Sequence, residues 1–342
     1  MDQPVINNTI FSTSKVNIYK PSFEIDIESN IFSIGSCFAC ELSNILKKSF
    51  IEIRSNPFGT IYNIKSILIL LERIIIKRFF TSDDIFFNNE TDFKNHTYFS
   101  FETSMVFNST DKKIVIDKLN GILEEMILFF DTIDIIIITP GTSVIYQFDG
   151  QVVANCHKLD QKRFTRKVLS VNETSDIIDN IVSLIHKFNP KINIIFTLSP
   201  VRHTLSDLVD NQYSKSVLRC SITEIISKNH TNIYYFPSYE IVVDELRNYC
   251  VYKDDMAHIK KKYIKYIVGL FVNYLFNKNS IECYKKIQKL RKFFKHKIIS
   301  TDPIIKQKYR ILLSDKSKFT SIYPLIYSKV QKKITKYFDS NS

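Results

Sequence analysis

Short apolar runs alternate along this 342-residue chain with longer segments whose apolar residues recur at helical spacing. The runs predict strands at residues 31–34, 50–53, 133–139, 192–198 and 233–236. The periodic segments predict helices at residues 38–49, 64–79, 114–130, 174–188, 211–226 and 259–276. Strands that alternate with helices are joined by crossovers and run parallel. The pattern therefore predicts an α/β fold, a doubly wound sheet of about five parallel strands with ligand chemistry at their carboxyl ends.

One long segment breaks this alternation. Residues 81–110 are rich in aromatic residues and Asn and show no clear period. Structureless connections of this length are uncommon in compact domains, and they often face a substrate. We therefore predict a long loop or an inserted lid here.

The basic charge of the chain is concentrated at its C-terminal end. Residues 278–342 hold 17 Lys and Arg but only 4 Asp and Glu, so this tail carries +13 while residues 1–277 carry −1. A composition break of this kind predicts a boundary between an α/β catalytic domain at residues 1–277 and a basic tail at residues 278–342.

The tail is predicted to be helical and amphipathic. One apolar stripe comprises Ile281, Tyr284, Ile287, Leu290, Phe294 and Ile298, and a second comprises Tyr323, Ile326, Val330, Ile334 and Tyr337. Such a helix either docks its apolar face on the domain or attaches to an anionic membrane surface, where apolar insertion and Lys–phosphate attraction reinforce each other. Binding of the tail to an acidic polymer or partner is the next alternative. We find no recognisable module that reads nucleic acid.

Three features of the sequence favour the cytoplasm. The N-terminus lacks the basic and apolar regions of a signal peptide, and no run of about 18 or more uncharged apolar residues is present. Six cysteines are scattered through a chain too large to need a disulfide framework: Cys37, Cys40, Cys156, Cys220, Cys250 and Cys283. We predict a cytoplasmic protein, peripheral at the inner membrane face where the tail binds lipid.

The turn after the first predicted strand carries candidate nucleophiles. The apolar run ends on Gly35, and Ser36 and Cys37 follow at the start of a helix, whose positive dipole end lowers a thiol pKa and stabilises an oxyanion. Far downstream, Asp255 places a carboxylate three residues before His258. Together these residues predict an acyl-transfer triad in which the carboxylate fixes the tautomer of the general base.

Each of these residues also has a structural interpretation. Cys37 can pack as a small buried residue, and Asp255 can cap a helix. Asp254 can replace Asp255 either as the helix cap or as the carboxylate partner of His258. Cys37 and Cys40 also form a C-x-x-C pair at a strand-to-helix junction, the context of a thioredoxin-like redox site. One such pair is half of a zinc site, so we predict no metal centre.

Several separated blocks resemble the GSCFA family. The family signature is matched by Gly35-Ser36-Cys37-Phe38-Ala39, and the other matching blocks, in order between residues 30 and 270, are Asn56-Pro57-Phe58-Gly59, Ala154-Asn155-Cys156-His157-Lys158, Ser199-Pro200-Val201-Arg202-His203, Phe236-Pro237-Ser238-Tyr239-Glu240 and Asp255-Met256-Ala257-His258. That family is in turn similar to the SGNH or GDSL-like hydrolases, which implies a flavodoxin-like sheet, a nucleophile just after the first strand and a late Asp-x-x-His.

The resemblance also implies roles for single residues. The nucleophile of the GDSL-like pattern is the second residue after the glycine, which here is Cys37, while Ser36 stands in the place of the aspartate and remains the alternative nucleophile. Ile259 replaces the proline that usually follows the histidine.

Further candidates follow from the same blocks. Gly59 and Gly141 lie after the second and third strands, where SGNH-like enzymes place oxyanion donors, although each can be an ordinary turn glycine. Asn155 and His157 are substrate-binding candidates in a predicted loop, or alternatively an Asx turn and a surface imidazole. Arg202 and His203 follow the fourth strand and are candidates for binding an anionic substrate or phosphate.

The chemistry that the resemblance implies is acyl-ester chemistry. We expect an O-acetyltransferase acting on a polysaccharide or its lipid-linked precursor, with no tightly bound cofactor and with acetyl-CoA as the candidate acyl donor. An SGNH-like carbohydrate or carboxyl esterase is the nearest alternative. A noncatalytic glycan- or partner-binding protein is the alternative of another class.

Overall fold

A computed structural model describes residues 14–88, 96–203, 207–228 and 232–295, together with the single positions 324, 328 and 332. The strands of this described part are β1 (Ile31–Gly35), β2 (Ile53–Ser55), β3 (Phe86–Asn88), β4 (Thr97–Phe99), β5 (Ile135–Thr139), β6 (Val144–Phe148), β7 (Gln151–Val153), β8 (Thr165–Val168), β9 (Asn193–Phe196) and β10 (Ile233–Tyr235).

The described helices are α1 (Cys37–Lys47), α2 (Ile64–Ile75), α3 (Lys112–Phe130), α4 (Val171–Phe188), α5 (Leu208–Ser227), α6 (Ser238–Glu240), α7 (Lys261–Leu275) and α8 (Lys278–Lys295). A π-helical turn, Ile241–Glu245, continues α6. Short 3-10 turns lie at Ser82–Asp84, Met105–Phe107, Gln161–Arg163 and Tyr249–Val251.

Five parallel strands form the central sheet, in the order β2-β1-β5-β9-β10. The predicted α/β fold with about five parallel strands is therefore confirmed. Numbered along the chain, these strands follow the order 2-1-3-4-5, the flavodoxin-like arrangement in which the chain reverses direction across the sheet between β1 and β5. Ligands of such sheets bind outside the carboxyl ends of the strands at this point, which is where Gly35-Ser36-Cys37 lies.

Helices cover both faces of the sheet. The helices α1 and α7 and the first turns of α8 pack on one face, where Phe38, Ile267 and Phe271 are buried. The helices α2 to α5 pack on the other face, where Leu68 and Ile181 are buried. Because the sheet is covered on both sides, all five residues of β5 are buried, and this explains the continuous apolar run that predicted the strand.

The sheet brings the ends of β1 and β5 into close contact. Gly35 has a φ of 142°, and a Cβ atom there would lie 2.1 Å from the carbonyl oxygen of Thr139. Only glycine fits this position, because any side chain would collide with backbone. The next residue continues the contact, since the amide of Ser36 donates to Thr139 O at 2.9 Å.

Residues 81–110, predicted as a long loop or inserted lid, contain the antiparallel pair β3–β4, with residues 89–95 outside the described part. The segment is fixed to α2 by Arg73, which is fully buried. Its guanidinium donates to Glu102 at 2.6 and 2.7 Å and to Asp84 at 2.8 Å. Each strand is three residues long, so the sequence offers too few alternating positions to predict either one.

A second antiparallel sheet, in the order β7-β6-β8, follows β5 and was not predicted. It meets the β3–β4 pair through an aromatic cluster formed by Phe86, Phe99, Phe101, Phe148 and Phe164. The ring centroids of Phe101 and Phe148, for example, are 4.9 Å apart. The two small sheets therefore share a satellite core of their own beside the central sheet.

The second predicted strand also differs in position. The sequence places it at residues 50–53, whereas β2 covers Ile53–Ser55. Phe50 adopts a φ of 66° in the turn after α1, so the strand cannot begin there.

The basic tail begins as α8, and the first turns of this helix pack on the domain. Ser280 accepts a hydrogen bond from the amide of Ile27 at 2.8 Å, and Cys283 and Ile287 are buried in the same core as α1 and α7. The first part of the predicted stripe is therefore docked. Its positions Leu290, Phe294 and Ile298 and the whole second stripe lie outside the side chains that the structure describes. The proposed domain boundary stays a prediction, and none of the described helices is long and apolar enough to cross a membrane.

Candidate functional site

Cys37 is the first residue of α1 and follows the end of β1 directly. Ser36 is the N-cap, and its side chain accepts a hydrogen bond from the amide of Phe38 at 3.2 Å. The first amides of a helix have no intrahelical acceptor and form the positive end of its dipole. The sequence therefore folds so that the thiol lies at the positive end of an 11-residue helix.

Ser36, the alternative nucleophile, is engaged within the fold. It is 1% exposed, and its hydroxyl donates to Ser199 Oγ at 2.8 Å. Because Ser199 follows β9, this hydrogen bond joins the carboxyl ends of two strands of the sheet. The hydroxyl of Ser36 thus has both a donor and an acceptor partner in this conformation.

His258 lies in the loop before α7 and is bound to Asp255. His258 Nδ1 is 2.8 Å from Asp255 Oδ2, and the other carboxylate oxygen accepts the amides of His258 and Ala257 at 2.9 Å each. These hydrogen bonds, that of the His258 amide first, lower the pKa of the Asp255 carboxyl to about 2. The carboxylate therefore stays charged and orients the ring through Nδ1. Asp255, and not its neighbour Asp254, is the partner.

Cys37 and His258 line the same cleft, which has a volume of about 140 Å³. Its other lining residues are Phe38, Cys40, Glu41, Thr60, Val201, Lys253, Ile259 and Ile264. No hydrogen bond between Cys37 and His258 is found in the described structure, and catalytic hydrogen bonds often form only when substrate is present. The thiol and the imidazole come from residues more than two hundred positions apart, and the fold brings them to one edge of the sheet.

The thiol of Cys37 is half-buried, and this affects its titration. Burial, with the nearby Cys40 as the second cause, raises the pKa of the Cys37 thiol above its usual value. Because the thiolate is the nucleophile, a thiol of this kind requires a base or a compensating positive charge to react at neutral pH.

The two glycines expected as oxyanion donors give their amides to backbone carbonyls. Gly59 N donates to Asn56 O at 2.8 Å, and Gly141 N donates to Tyr62 O at 2.7 Å. Gly59 has a φ of 84°, and a Cβ there would lie 1.8 Å from Ser104 Oγ, so packing alone requires glycine. In this conformation neither amide is available to an oxyanion.

The structure places Asn155 and His157 away from the cleft, in the satellite core. Asn155 Oδ1 accepts the amide of His157 at 2.8 Å, which is the predicted Asx turn. The imidazole is 1% exposed rather than at the surface. It stacks on Phe99 with a centroid distance of 4.2 Å and contacts Asn108 Oδ1 at 3.0 Å, and burial lowers its pKa to about 4.

Arg202 supports the loop that carries His258. Its amide donates to Ala257 O at 3.3 Å and its guanidinium to Met256 O at 3.2 Å, while the guanidinium lies 4.1 Å from the ring centroid of Tyr252. Next to it, the amide of His203 donates to Asn211 Oδ1 at 3.1 Å. Burial, followed by the charge of Lys215, lowers the pKa of the His203 imidazole to about 4. Arg202 and Lys215 line a second cleft beside the first, and the two clefts share Val201.

Lys215 and Tyr62 are the residues that the sequence analysis missed. Lys215 of α5 is 1% exposed, and its ammonium donates to Gly141 O at 2.6 Å and Ser199 O at 2.7 Å. The carbonyl oxygen of Tyr62 accepts a hydrogen bond from the amide of Gly141. One signal was present in the sequence, because Lys215 lies at helical spacing between the buried positions 211 and 218 and hence on the core face of α5.

The remaining alternatives concern metal and redox chemistry. Among the described residues there is no group of three or more His, Cys, Asp or Glu side chains that could hold a metal ion. Cys37 and Cys40 are both free thiols, and Asn56 Nδ2 lies 3.0 Å from Cys40 Sγ.

Comparison with known proteins bears on the family of the chain. The model described as GSCFA family matches residues 30–271, well over half of the chain and close to the range expected from the sequence blocks. No curated protein matches the chain. The matched range contains Cys37, Lys215, Asp255 and His258, that is, the whole candidate site. The chain belongs to the GSCFA family.

Proposed function

We propose that this protein is an acyl-transfer enzyme in which Cys37 carries the acyl group and His258 moves the protons. The observation that supports the proposal is that a thiol at a helix N-terminus and an Asp-bound imidazole line one cleft at the carboxyl edge of the sheet. A nucleophile, a base and a group that orients the base are the parts that covalent acyl transfer requires.

In the first half-reaction, His258 Nε2 takes the proton of the Cys37 thiol, and the sulfur bonds to the acyl carbonyl carbon. The bond to the donor then breaks, and its leaving group takes the proton from His258. In the second half-reaction, an acceptor hydroxyl gives its proton to His258 and its oxygen attacks the thioester. The C–S bond then breaks, and the sulfur of Cys37 takes the proton back from His258. Asp255 keeps the ring in the tautomer with Nε2 unprotonated at the start of each half-reaction.

The negative charge of the tetrahedral intermediate needs donors other than Gly59 and Gly141. We propose the amide of Cys37, which opens α1, and the hydroxyl of Thr60, which lines the cleft. A helix N-terminus favours an anion through its free amides and its dipole, so the position next to the nucleophile is suited to the developing oxyanion.

The size of the cleft favours a small acyl group. A volume of about 140 Å³ is a few times the roughly 30 Å³ that one water occupies in the liquid. An acetyl group fits such a space. We therefore propose an O-acetyltransferase with acetyl-CoA as donor and a polysaccharide, or a precursor of one, as acceptor.

The experiment that tests this function measures turnover by the full chain with acetyl-CoA and with an aryl acetate, with and without a glycan acceptor. Transfer to the glycan supports the acetyltransferase, whereas release of acetate to water without an acceptor identifies a carbohydrate or carboxyl esterase. We expect Cys37→Ala to lower turnover by about a thousandfold or more.

Ser36→Ala is the matched control for the nucleophile, since Ser36 precedes Cys37 but its hydroxyl is bound to Ser199. We expect this variant to retain turnover within about tenfold if it folds, because it loses an N-cap and not the reacting atom. Inactivity of the wild type on every acyl donor, combined with glycan binding, would instead identify a noncatalytic binding protein.

For the tail we propose attachment to an anionic membrane surface through residues 296–342, in addition to docking through α8. Cys283 and Ile287 are buried in the domain, so a truncation for this test should keep α8 and remove residues 296–342 only. We expect the full chain to bind anionic vesicles and to lose binding in high salt. Equal vesicle binding by the full and truncated chains would eliminate this role of the tail.

A further inference from the structure

Lys215 lies in the interior of the protein and has no carboxylate partner among the described residues. Its side chain is 1% exposed, and its acceptors among the described residues are two carbonyl oxygens, Gly141 O and Ser199 O. Two acceptors satisfy both N–H groups of a neutral amine, whereas the third proton of an ammonium is left without one. Burial lowers the pKa of Lys215 to about 7. A buried charge that lacks a partner is expensive, so its presence requires an explanation.

The two carbonyls that hold Lys215 belong to the edge of the sheet where the candidate site lies. Gly141 follows β5. Ser199 follows β9, and its hydroxyl oxygen accepts a hydrogen bond from the hydroxyl of Ser36. Ser36 precedes Cys37 directly. Lys215 is therefore connected to the start of α1 through Ser199, whose carbonyl binds the lysine and whose hydroxyl binds Ser36.

Cys37, the candidate nucleophile, is the ionisable group at the start of α1. The groups around it are Cys40 and Glu41 on α1, Lys253 and His258 in the loop across the cleft, Tyr62 before α2, and Lys215 on α5. Of these, Lys215 is a buried cation whose charge favours the thiolate against the larger effect of burial, and the thiolate in turn favours the charged form of Lys215. Around Lys215 itself, the charged and titratable groups are His203, whose protonation Lys215 opposes, and Arg202, Tyr239 and Tyr252, which line the same cleft.

We infer that Lys215 is a positioning residue of the site: its ammonium form stabilises the Cys37 thiolate, and its hydrogen bonds hold the ends of β5 and β9 around that thiol. This inference rests on the proposed role of Cys37 as nucleophile. Burial disfavours the thiolate and the ammonium separately, but a pair of opposite charges in the same low-dielectric region recovers part of that cost.

The two groups then titrate as a pair, because each favours the charged form of the other. In the wild type a fraction of the molecules holds an ammonium and a thiolate together at pH values where an isolated buried thiol would be protonated. Without the lysine this fraction disappears, and Cys37 ionises only at high pH.

Alkylation of the full chain by iodoacetamide, measured by mass spectrometry for each cysteine peptide over a range of pH, tests the inference without requiring turnover. Cys250 is exposed and serves as the internal reference. We expect the rate of Cys37 alkylation in the wild type to rise in two steps as the pH is raised, and we expect Lys215→Met to remove the step at lower pH. At pH 8 the variant should react about tenfold more slowly at Cys37.

Two further variants separate charge from structure. Lys215→Gln keeps an amide with two N–H groups but no charge, and it should lose the lower step as Lys215→Met does. Ser214→Ala removes a neighbouring buried hydroxyl that accepts the amide of Ser143 at 2.8 Å, and it should keep the lower step because the charge remains. An unchanged Cys37 profile in folded Lys215→Met and Lys215→Gln overturns the inference.

If neither Lys215 variant folds, the reciprocal measurement decides. Trace labelling of Lys215 by acetic anhydride should show a lower midpoint in Cys37→Ala than in the wild type, because coupling between two sites acts equally in both directions. An identical midpoint overturns the inference. The alkylation profile is measured without turnover, so the two proposals can fail separately. If the enzyme is active but substitution of Lys215 leaves Cys37 alkylation unchanged, only this inference is refuted. If substitution changes Cys37 alkylation but the protein has no activity, only the proposed function is refuted.

Discussion

Two histidines from blocks that resemble the GSCFA signature have opposite surroundings. His258 has a side chain that is 45% exposed, binds the carboxylate of Asp255 at 2.8 Å and lines a cleft with a thiol. His157 is 1% exposed, stacks on Phe99 at 4.2 Å and has the amide oxygen of Asn108 as its side-chain partner. The first is open to solvent on one side of the cleft, while burial lowers the pKa of the second and holds it neutral.

The difference shows that position in the fold separates the two roles. His258 follows β10 along the chain and reaches the carboxyl edge of the parallel sheet, where the helix N-terminus of α1 is exposed to ligands. His157 lies between the two small antiparallel sheets and fills their shared core. We therefore expect His258 to take part in the reaction and His157 to stabilise the fold.

The largest expected effect is on turnover. His258→Gln should lower the rate of acyl transfer by about a hundredfold to ten-thousandfold, because the general base is lost. His157→Gln, the matched substitution in the other region, should stay within about tenfold once it is folded, since its ring does not reach the reacting atoms. Steady-state rates of both variants at one pH check this, and similar losses in the two would break the contrast.

The second effect is on stability and runs the other way. His157→Ala should destabilise the fold by about 3 kcal/mol, because it empties a fully buried ring site in the satellite core. His258→Ala should change the free energy of unfolding by about 0.5 kcal/mol or less, because that side chain is half-exposed. Urea unfolding of each variant measures both values, and a larger loss in His258→Ala would contradict the assignment.

The third effect is a pH dependence of stability that originates at His157. Burial lowers the pKa of this imidazole to about 4, whereas in the unfolded chain it ionises near its ordinary value of about 6.5. Between these values the unfolded chain binds more protons, so stability falls as the pH falls from about 6.5 to about 4, by roughly 3 kcal/mol at most.

His157→Phe keeps a ring against Phe99 but cannot titrate, and it is the control for this pH effect. Its stability should fall less steeply over the same pH window. His203 is present in both proteins and has a similarly lowered pKa, so its contribution cancels in the comparison. Parallel pH profiles for the two proteins would show that His157 does not contribute.

The smallest expected effect concerns the partner of His258. Asp255→Asn keeps an oxygen for the loop amides but removes the charge that selects the ring tautomer. Because both side chains are about half exposed, solvent screens the pair and we expect a loss of about tenfold in turnover. The loss should be smaller than that of His258→Gln, and an equal loss would mean that the carboxylate itself takes part in the reaction.

The sequence predicts the central sheet well because its strands are buried on both faces. Residues 135–138 are four consecutive isoleucines, which are not typical of a surface segment. The strands β3, β4 and β7 are three residues each and lie half-exposed in small sheets, so neither period nor hydrophobicity identifies them. The local sequence pattern therefore identifies the strands that are completely buried and misses those that are only partly buried.

The candidate site was predictable to a different degree. Cys37, Asp255 and His258 were found because their local motifs carry the chemistry. Lys215 was not found, because a lysine in a helix is normally at the surface and only tertiary structure shows which carbonyls enclose it. The amides of Gly59 and Gly141 also require three-dimensional information, since their acceptors come from other loops.

The central claim is that Cys37 carries the acyl group, and the most direct test is to trap it. The full chain is mixed with acetyl-CoA or an aryl acetate, quenched in acid during turnover, digested and examined by mass spectrometry. We expect an acetyl thioester on the peptide of Cys37 that forms and decays at rates compatible with turnover and is absent from Cys37→Ala. Turnover without an acyl group on Cys37, or with the acyl group on Ser36, would contradict it.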